Sequence, residues 1–178
     1  MGKMKFSLAL MLMLAALSAC KKDAGSASAD AGAAPAASGK MIDFVTTQDS
    51  SPLKIDPALF TTPEAKEFMS TGKNPYIGNA DAIAKGKKVF QLYSCTQCHG
   101  PEAKGQVGPN LTGPDYHYPK NATNKGMFET VWHGTNGGMG AKGIGLMDPT
   151  DPKNGISPDE LLKVIAWIRS MGKSTGNE

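Results

Sequence analysis

Cysteine and aromatic residues are both scarce in this chain, and neither sign of charge dominates it. Only Cys20, Cys95 and Cys98 are present. A structural zinc site needs four ligands, usually a second Cys or His pair, and none completes one here. Aromatic residues make up 7% of the sequence, against 21 Gly and 12 Pro. A small domain with so little aromatic bulk and so much loop needs a further apolar body to complete a core. The apolar run Phe6 to Leu17 is too short to span a bilayer comfortably. No internal repeat and no strand-like run stands out, so an all-α fold is expected.

The missing charge excess removes another class of function. Lys and Arg number 19 and Asp and Glu 16. Taking away Lys3 and Lys5 with a leader leaves 17 against 16, close to neutral. No footprint for nucleic acid is present, and strong steering by net charge is excluded.

What is present is concentrated in Cys95-Thr96-Gln97-Cys98-His99. Two thiols three positions apart, followed by an imidazole, form the attachment signature for c-type haem. Each thiol adds to a vinyl group, and His99 becomes the proximal iron ligand. A thioredoxin-like couple would share the Cys-x-x-Cys pair but requires a βαβ context. One covalent haem c would also supply the apolar body that the composition lacks.

The remaining cysteine, Cys20, lies at the N-terminus. Lys3 and Lys5, the run Phe6 to Leu17, and Leu17-Ser18-Ala19-Cys20 read as a lipoprotein signal peptide over 1–19, with Cys20 acylated. An ordinary secretory signal is the alternative; either places the mature chain in the periplasm. No disulfide is then expected. Residues 20–40, rich in Ala, Ser and Gly, read as a flexible tether with an end-to-end distance of roughly 25 Å.

Helix signals follow. Thr62-Pro63-Glu64 predicts a helix start running to about Ser70, with Gly72 as its stop. A second helix is predicted over about Ala80 to Tyr93, ending at the haem motif. A short one is expected from about Lys125 to His133. Ser157-Pro158-Asp159-Glu160 combines a cap, a first-turn proline and a capping-box glutamate. The helix it opens carries Leu161, Val164, Ile165, Trp167 and Ile168 and ends at Met171-Gly172. The segment Lys40 to Asp56 has no clear assignment.

An electron carrier needs a second axial ligand, and a methionine thioether raises the potential. Met139, in Gly137-Gly138-Met139-Gly140, is favoured because glycines let the backbone approach a flat ligand. Met147 is the runner-up; Met127, Met171, His117 and His133 are the other candidates. The carbonyl of Pro109 is the expected partner for the His99 ring N–H. Tyr116, Tyr118, Lys120 and Trp132 are available as donors to haem propionates.

The helix with Gly86 and Phe90 before the haem motif, Gly108-Pro109-x-Leu111, and the last helix with Trp167 together resemble class I c-type cytochromes. That resemblance implies three to five helices wrapped around one covalent haem. It divides the chain into an extension with one helix at 41–75, a cytochrome c domain at 76–173 and a tail at 174–178. Tyr118-Pro119-Lys120-Asn121-Ala122-Thr123-Asn124-Lys125-Gly126-Met127-Phe128-Glu129-Thr130, with Gly134-x-Asn136-Gly137-x-Met139-Gly140, is similar to cytochrome c-L. So are Thr62 to Lys73 and Tyr76-Ile77-x-Asn79-Ala80. This narrower resemblance covers about 60–172 and implies Met139 as the sixth ligand. It also implies an electron-transfer protein rather than an enzyme. The donor would be a methanol dehydrogenase dependent on pyrroloquinoline quinone (PQQ), and the acceptor a class I cytochrome c. The stretch Ala141 to Ile156 is longer than that family leads one to expect, and a lipid anchor is unusual for it. A generic membrane-tethered class I cytochrome c serving another donor or an oxidase is the alternative.

Overall fold

The computed structural model describes residues 40–172, which belong to one compact unit spanning Pro35–Glu178. The signal segment, Cys20, nearly all of the tether and the 174–178 tail lie outside the described residues. Among the described residues five α-helices follow in order: α1 Pro63–Thr71, α2 Ala80–Leu92, α3 Thr96–His99, α4 Asn124–His133 and α5 Pro158–Met171. Two short 3-10 turns, Pro57–Leu59 and Pro119–Ala122, precede α1 and α4. Among the described residues there is no β-strand, only the isolated bridges Val45–Pro52 and Gly143–Ile156.

Local chemistry sets the helix ends. Thr62 Oγ1 accepts the Ala65 N–H at 3.1 Å, Pro63 occupies the first turn, and Gly72 stops α1 at φ +73°. Such a left-handed residue closes a helix without the Cβ penalty. At α5 the capping box is complete: Ser157 Oγ accepts the Glu160 N–H at 3.3 Å, and Glu160 Oε2 accepts the Ser157 N–H at 3.0 Å. Asn79 and Thr123 cap α2 and α4 in the same way.

The framework is the crossing of α2 on α5. A Cβ on Gly86 would lie 1.9 Å from the Lys163 carbonyl oxygen, so the two backbones are in direct contact there. One turn on, Phe90 meets Trp167 with ring centroids 4.7 Å apart. Leu161, Leu162, Val164, Ile165 and Ile168 of α5 are all buried. The start of α5 also ties down α1 and the loop after it. Asp159 Oδ1 accepts from Thr62 Oγ1 at 2.8 Å and from Tyr76 Oη at 2.6 Å.

The few aromatic residues are used in concentrated form. Phe44, Phe60, Phe68 and Phe128 form one cluster with centroids 4.8–6.3 Å apart, and Trp132 stacks on Phe128 at 5.4 Å. The cluster explains the unassigned segment before α1. It is extended chain that buries Phe44 and Ile55. Val45 N–H donates to the buried Glu129 carboxylate at 2.8 Å. Glu129 is also paired with Lys120 at 2.7 Å and Lys125 at 2.5 Å. The 141–156 segment closes at its neck, where Ile156 N–H donates to Lys142 O at 2.7 Å and Ile144 N–H to Ile156 O at 3.1 Å. Gly143 at that neck packs directly on the Trp132 ring.

Candidate haem-binding site

Helix α2 delivers the chain to the motif and stops. Ser94 takes φ +58°, and α3 makes a single turn that ends at Gly100, φ +73°. Residues three apart on one turn share a face, so Cys95 and Cys98 both reach the wall of one cavity, with His99 between them and the next loop. Burial pushes the Cys95 thiol pKa up. A redox Cys-x-x-Cys has a lowered thiol instead, and among the described residues no strand supplies a βαβ unit, so the thioredoxin-like reading has no support.

The loop after α3 holds the imidazole. Gly108 N–H donates to Cys98 O at 2.7 Å, and Gly105 N–H to His99 O at 3.0 Å. His99 is 6% exposed, and its Nδ1 lies 2.9 Å from the Pro109 carbonyl, the acceptor singled out from sequence. A carbonyl can only accept, so Nδ1 carries the proton and Nε2 is left with its lone pair for a metal. A Cβ on Gly108 would stand 2.8 Å from His99 Cε1; the ring can sit there only against glycine.

The cavity has a volume of about 590 Å³, within the roughly 300–1,000 Å³ of cofactor sites. The thiols and His99 form part of its wall, with Gly108 to Leu111 beside them. Tyr116, His117 and Tyr118 line another part, with Asn121 and Thr130. The Gly137-Gly138-Met139-Gly140 loop lines it too. That loop is pinned by Thr135, whose N–H donates to Met139 O at 2.8 Å and whose hydroxyl accepts the Gly137 N–H at 3.2 Å. Two thiols, an imidazole with a free Nε2, and a thioether therefore share one largely apolar cavity. This donor set fits a covalent haem with nitrogen and sulfur axial ligands.

Not every sequence-predicted residue reaches the cavity. Trp132 does not line it: the ring is 2% exposed, stacked on Phe128 and covered by Gly143. The structure places its ring in the aromatic core. Lys120 is turned to Glu129 and the Val45 carbonyl. Met127 is buried in the core, and Met171 is surface-exposed. Met147 and His133 stand outside the cavity wall, whereas His117 is part of it. Sequence reading missed Asn121, Thr130 and Thr135; Thr130 bonds to Asn121 and to the distant Thr47, whereas Thr135 acts within its own loop.

The sequence model of the family described as Cytochrome c matches residues 83–172. The chain belongs to the cytochrome c family. It is accordingly an electron-transfer protein that carries covalent haem c, not an enzyme, and Cys95, Cys98 and His99 supply the attachment motif. Cytochrome c-L of Methylorubrum extorquens is 40% identical over 111 residues, which are 62% of this chain and 50% of that protein. The CcoP subunit of the cbb3-type cytochrome c oxidase of Rubrivivax gelatinosus is 32% identical over 113 residues, 63% of this chain and 33% of that subunit. The chain thus spans half or less of the curated relatives it matches. Among solved structures, cytochrome cL from Hyphomicrobium denitrificans superposes with a TM-score of 0.64 at 37% identity, over 75% of this chain and 76% of that one. Cytochrome CL from Methylophaga aminisulfidivorans gives 0.61 at 33% identity, over 72% and 79%. The class I fold and the likeness to cytochrome c-L expected from residues 60–172 are therefore found in both sequence and structure. Among the described residues no helix is long and apolar enough to cross a membrane.

Proposed function

We propose that this protein is a periplasmic one-electron carrier between a PQQ-dependent methanol dehydrogenase and a downstream class I cytochrome c. The observation that carries the reading is the shared cavity of Cys95, Cys98, His99 and Met139, set in a chain 40% identical to a cytochrome c-L. Bound haem c supplies reversible one-electron chemistry at iron. In this reading Cys95 and Cys98 hold it covalently and His99 Nε2 is the proximal ligand. Pro109 O fixes the His99 tautomer, and Met139 is the sixth ligand. Tyr118 faces a propionate. Val107, 84% exposed at the cavity wall, offers an apolar spot for the small, transient contacts that electron transfer uses. Cys20 is the lipid attachment point and residues 20–40 the tether, after removal of 1–19; residues 41–75 serve as an extension to the 76–173 domain.

Stopped-flow mixing of the purified oxidised protein with a PQQ methanol dehydrogenase and methanol tests the donor. Methanol-dependent haem reduction is expected at micromolar concentrations; its absence refutes the pairing. A second reading is a membrane-tethered class I cytochrome c that serves an oxidase. The 32% identity to an oxidase subunit favours it. Reduction by a different donor, with none by the dehydrogenase, would establish that reading.

A further inference from the structure

Among the described residues Arg169, on the last turn of α5, is a buried cation with no carboxylate paired to it. It is 3% exposed. The four bonds it donates all go to neutral acceptors: Nη1 to Tyr116 Oη at 2.5 Å, Nη2 to the carbonyls of Asn121 and Ala122 at 2.8 and 3.1 Å, and Nε to Asn124 Oδ1 at 3.3 Å. The guanidinium also sits over the Tyr116 ring at 5.4 Å. Among the described residues the carboxylates that form ion pairs are Glu102, Glu129 and Asp159, and all three pair with lysines. Burial pulls the Arg169 pKa down, yet an arginine stays charged in proteins. Charged groups are almost never fully buried unless paired, and neutral carbonyls compensate only part of a full charge.

Arg169 reaches the cavity wall through two residues, Tyr116 and Asn121. Both residues line the cavity, and both are gripped by Arg169. Tyr116 Oη accepts from Nη1, so its own O–H cannot point back at the guanidinium and must donate elsewhere. Haem c bound in this cavity would bring two propionate carboxylates with it.

We propose that Arg169 is the buried counter-cation of one haem propionate, acting through the Tyr116 hydroxyl, and that it holds the reduction potential up. The inference rests on haem occupying the cavity lined by His99 and Met139. Arg169 is a positioning residue, since Tyr116 stands between it and the cofactor. A positive charge behind the propionate favours the state with one more electron, so its removal lowers the potential. It also raises the propionate pKa, because a carboxylate that loses a nearby cation holds its proton more tightly.

The test is spectroelectrochemical titration of the full holoprotein across pH 5–9 with Tyr116→Phe, Arg169→Lys, Arg169→Gln and the Tyr116→Phe/Arg169→Gln double variant. Arg169→Gln is expected to lose about tenfold in the equilibrium preference for reduced haem, about 59 mV for a one-electron couple. Tyr116→Phe should lose about threefold, and Arg169→Lys less than Arg169→Gln because the charge is kept. The double variant should fall no further than Arg169→Gln alone, and the potential of both should become pH-dependent near neutrality. Retention of the sulfur-to-iron charge-transfer band in each variant shows that the axial ligands are intact, which separates this inference from the haem-site assignment. Potentials of Tyr116→Phe and Arg169→Lys equal to the unmodified protein, with that band retained, overturn it even if Arg169→Gln fails to fold. Equal and additive losses in the double variant overturn the route through Tyr116.

Discussion

Replacing Gly86 by alanine tests the account of how the framework is built. The new Cβ would sit 1.9 Å from the Lys163 carbonyl oxygen and 2.4 Å from its carbon, where ordinary contact begins at 3.4 Å. Both atoms are backbone inside α5, so no side chain can swing aside, and the helices must part by about 1.5 Å. Alanine gains about 0.8–1.0 kcal/mol of intrinsic helix preference over glycine. Against this, overpacking costs about 1–3 kcal/mol, occasionally more. Loosening the Phe90–Trp167 contact forfeits part of the roughly 0.5–1.5 kcal/mol such pairs contribute beyond buried area. A net loss of about 1–3 kcal/mol follows, or about 3–12 °C in Tm for a domain of this size. Guanidinium unfolding followed by far-ultraviolet circular dichroism measures it directly by linear extrapolation. Lys85→Ala, on the exposed face of the same helix, is the control and should stay within about 0.5 kcal/mol. A Gly86→Ala protein as stable as the control would mean that the helices do not cross at this glycine.

Three further outcomes are expected. Glu129→Gln removes the buried charge shared by Lys120 and Lys125 and weakens the anchor of Val45. The lysines remain partly solvated, so a loss of about 2–3 kcal/mol is expected, below the 3–5 of a fully buried pair. Faster proteolytic cleavage within 40–56 would accompany it, and an unchanged cleavage rate would refute the anchoring role. Met139→Ala should abolish the sulfur-to-iron charge-transfer band and open the iron to carbon monoxide, whereas Met147→Ala should do neither; the reverse pattern would move the ligand to Met147. The Asp49 carboxyl is held down to about 2, chiefly by the Thr46 hydroxyl and then by Ser51. Its contribution to stability is therefore full above the ordinary carboxylate pKa of about 3.9 and is lost as pH falls toward 2. Carbon-detected NMR should show that low midpoint, and Thr46→Val should return it upward; an Asp49 midpoint near 4 in the unmodified protein would contradict the geometry.

The legible parts of this protein are those whose cause lies within a few residues. Thr62-Pro63 and Ser157-x-x-Glu160 mark helix starts because the bonds they make span three positions. The α3 turn itself was not expected, although Cys95-x-x-Cys98-His99 marks the haem site through its spacing alone. Segment 40–56 was unreadable because its fastening bond, Val45 to Glu129, spans 84 positions. Trp132 looked like a propionate donor because an indole N–H is a donor anywhere. Its ring is packed between Phe128 and Gly143 in the core, and no local pattern announces that packing. Arg169 carries no local signal, because a basic residue in a helix's last turn is an ordinary favourable placement.

Attachment chemistry and helix ends are written in short-range patterns, because thioether formation and capping need only neighbours in sequence. Which methionine faces the cavity, which tryptophan is core, and where a buried arginine lays its charge depend on groups brought together over tens of residues. Burial and electrostatics act through space, and only the crossing of α2 on α5, with the extension packed against α4, sets those distances.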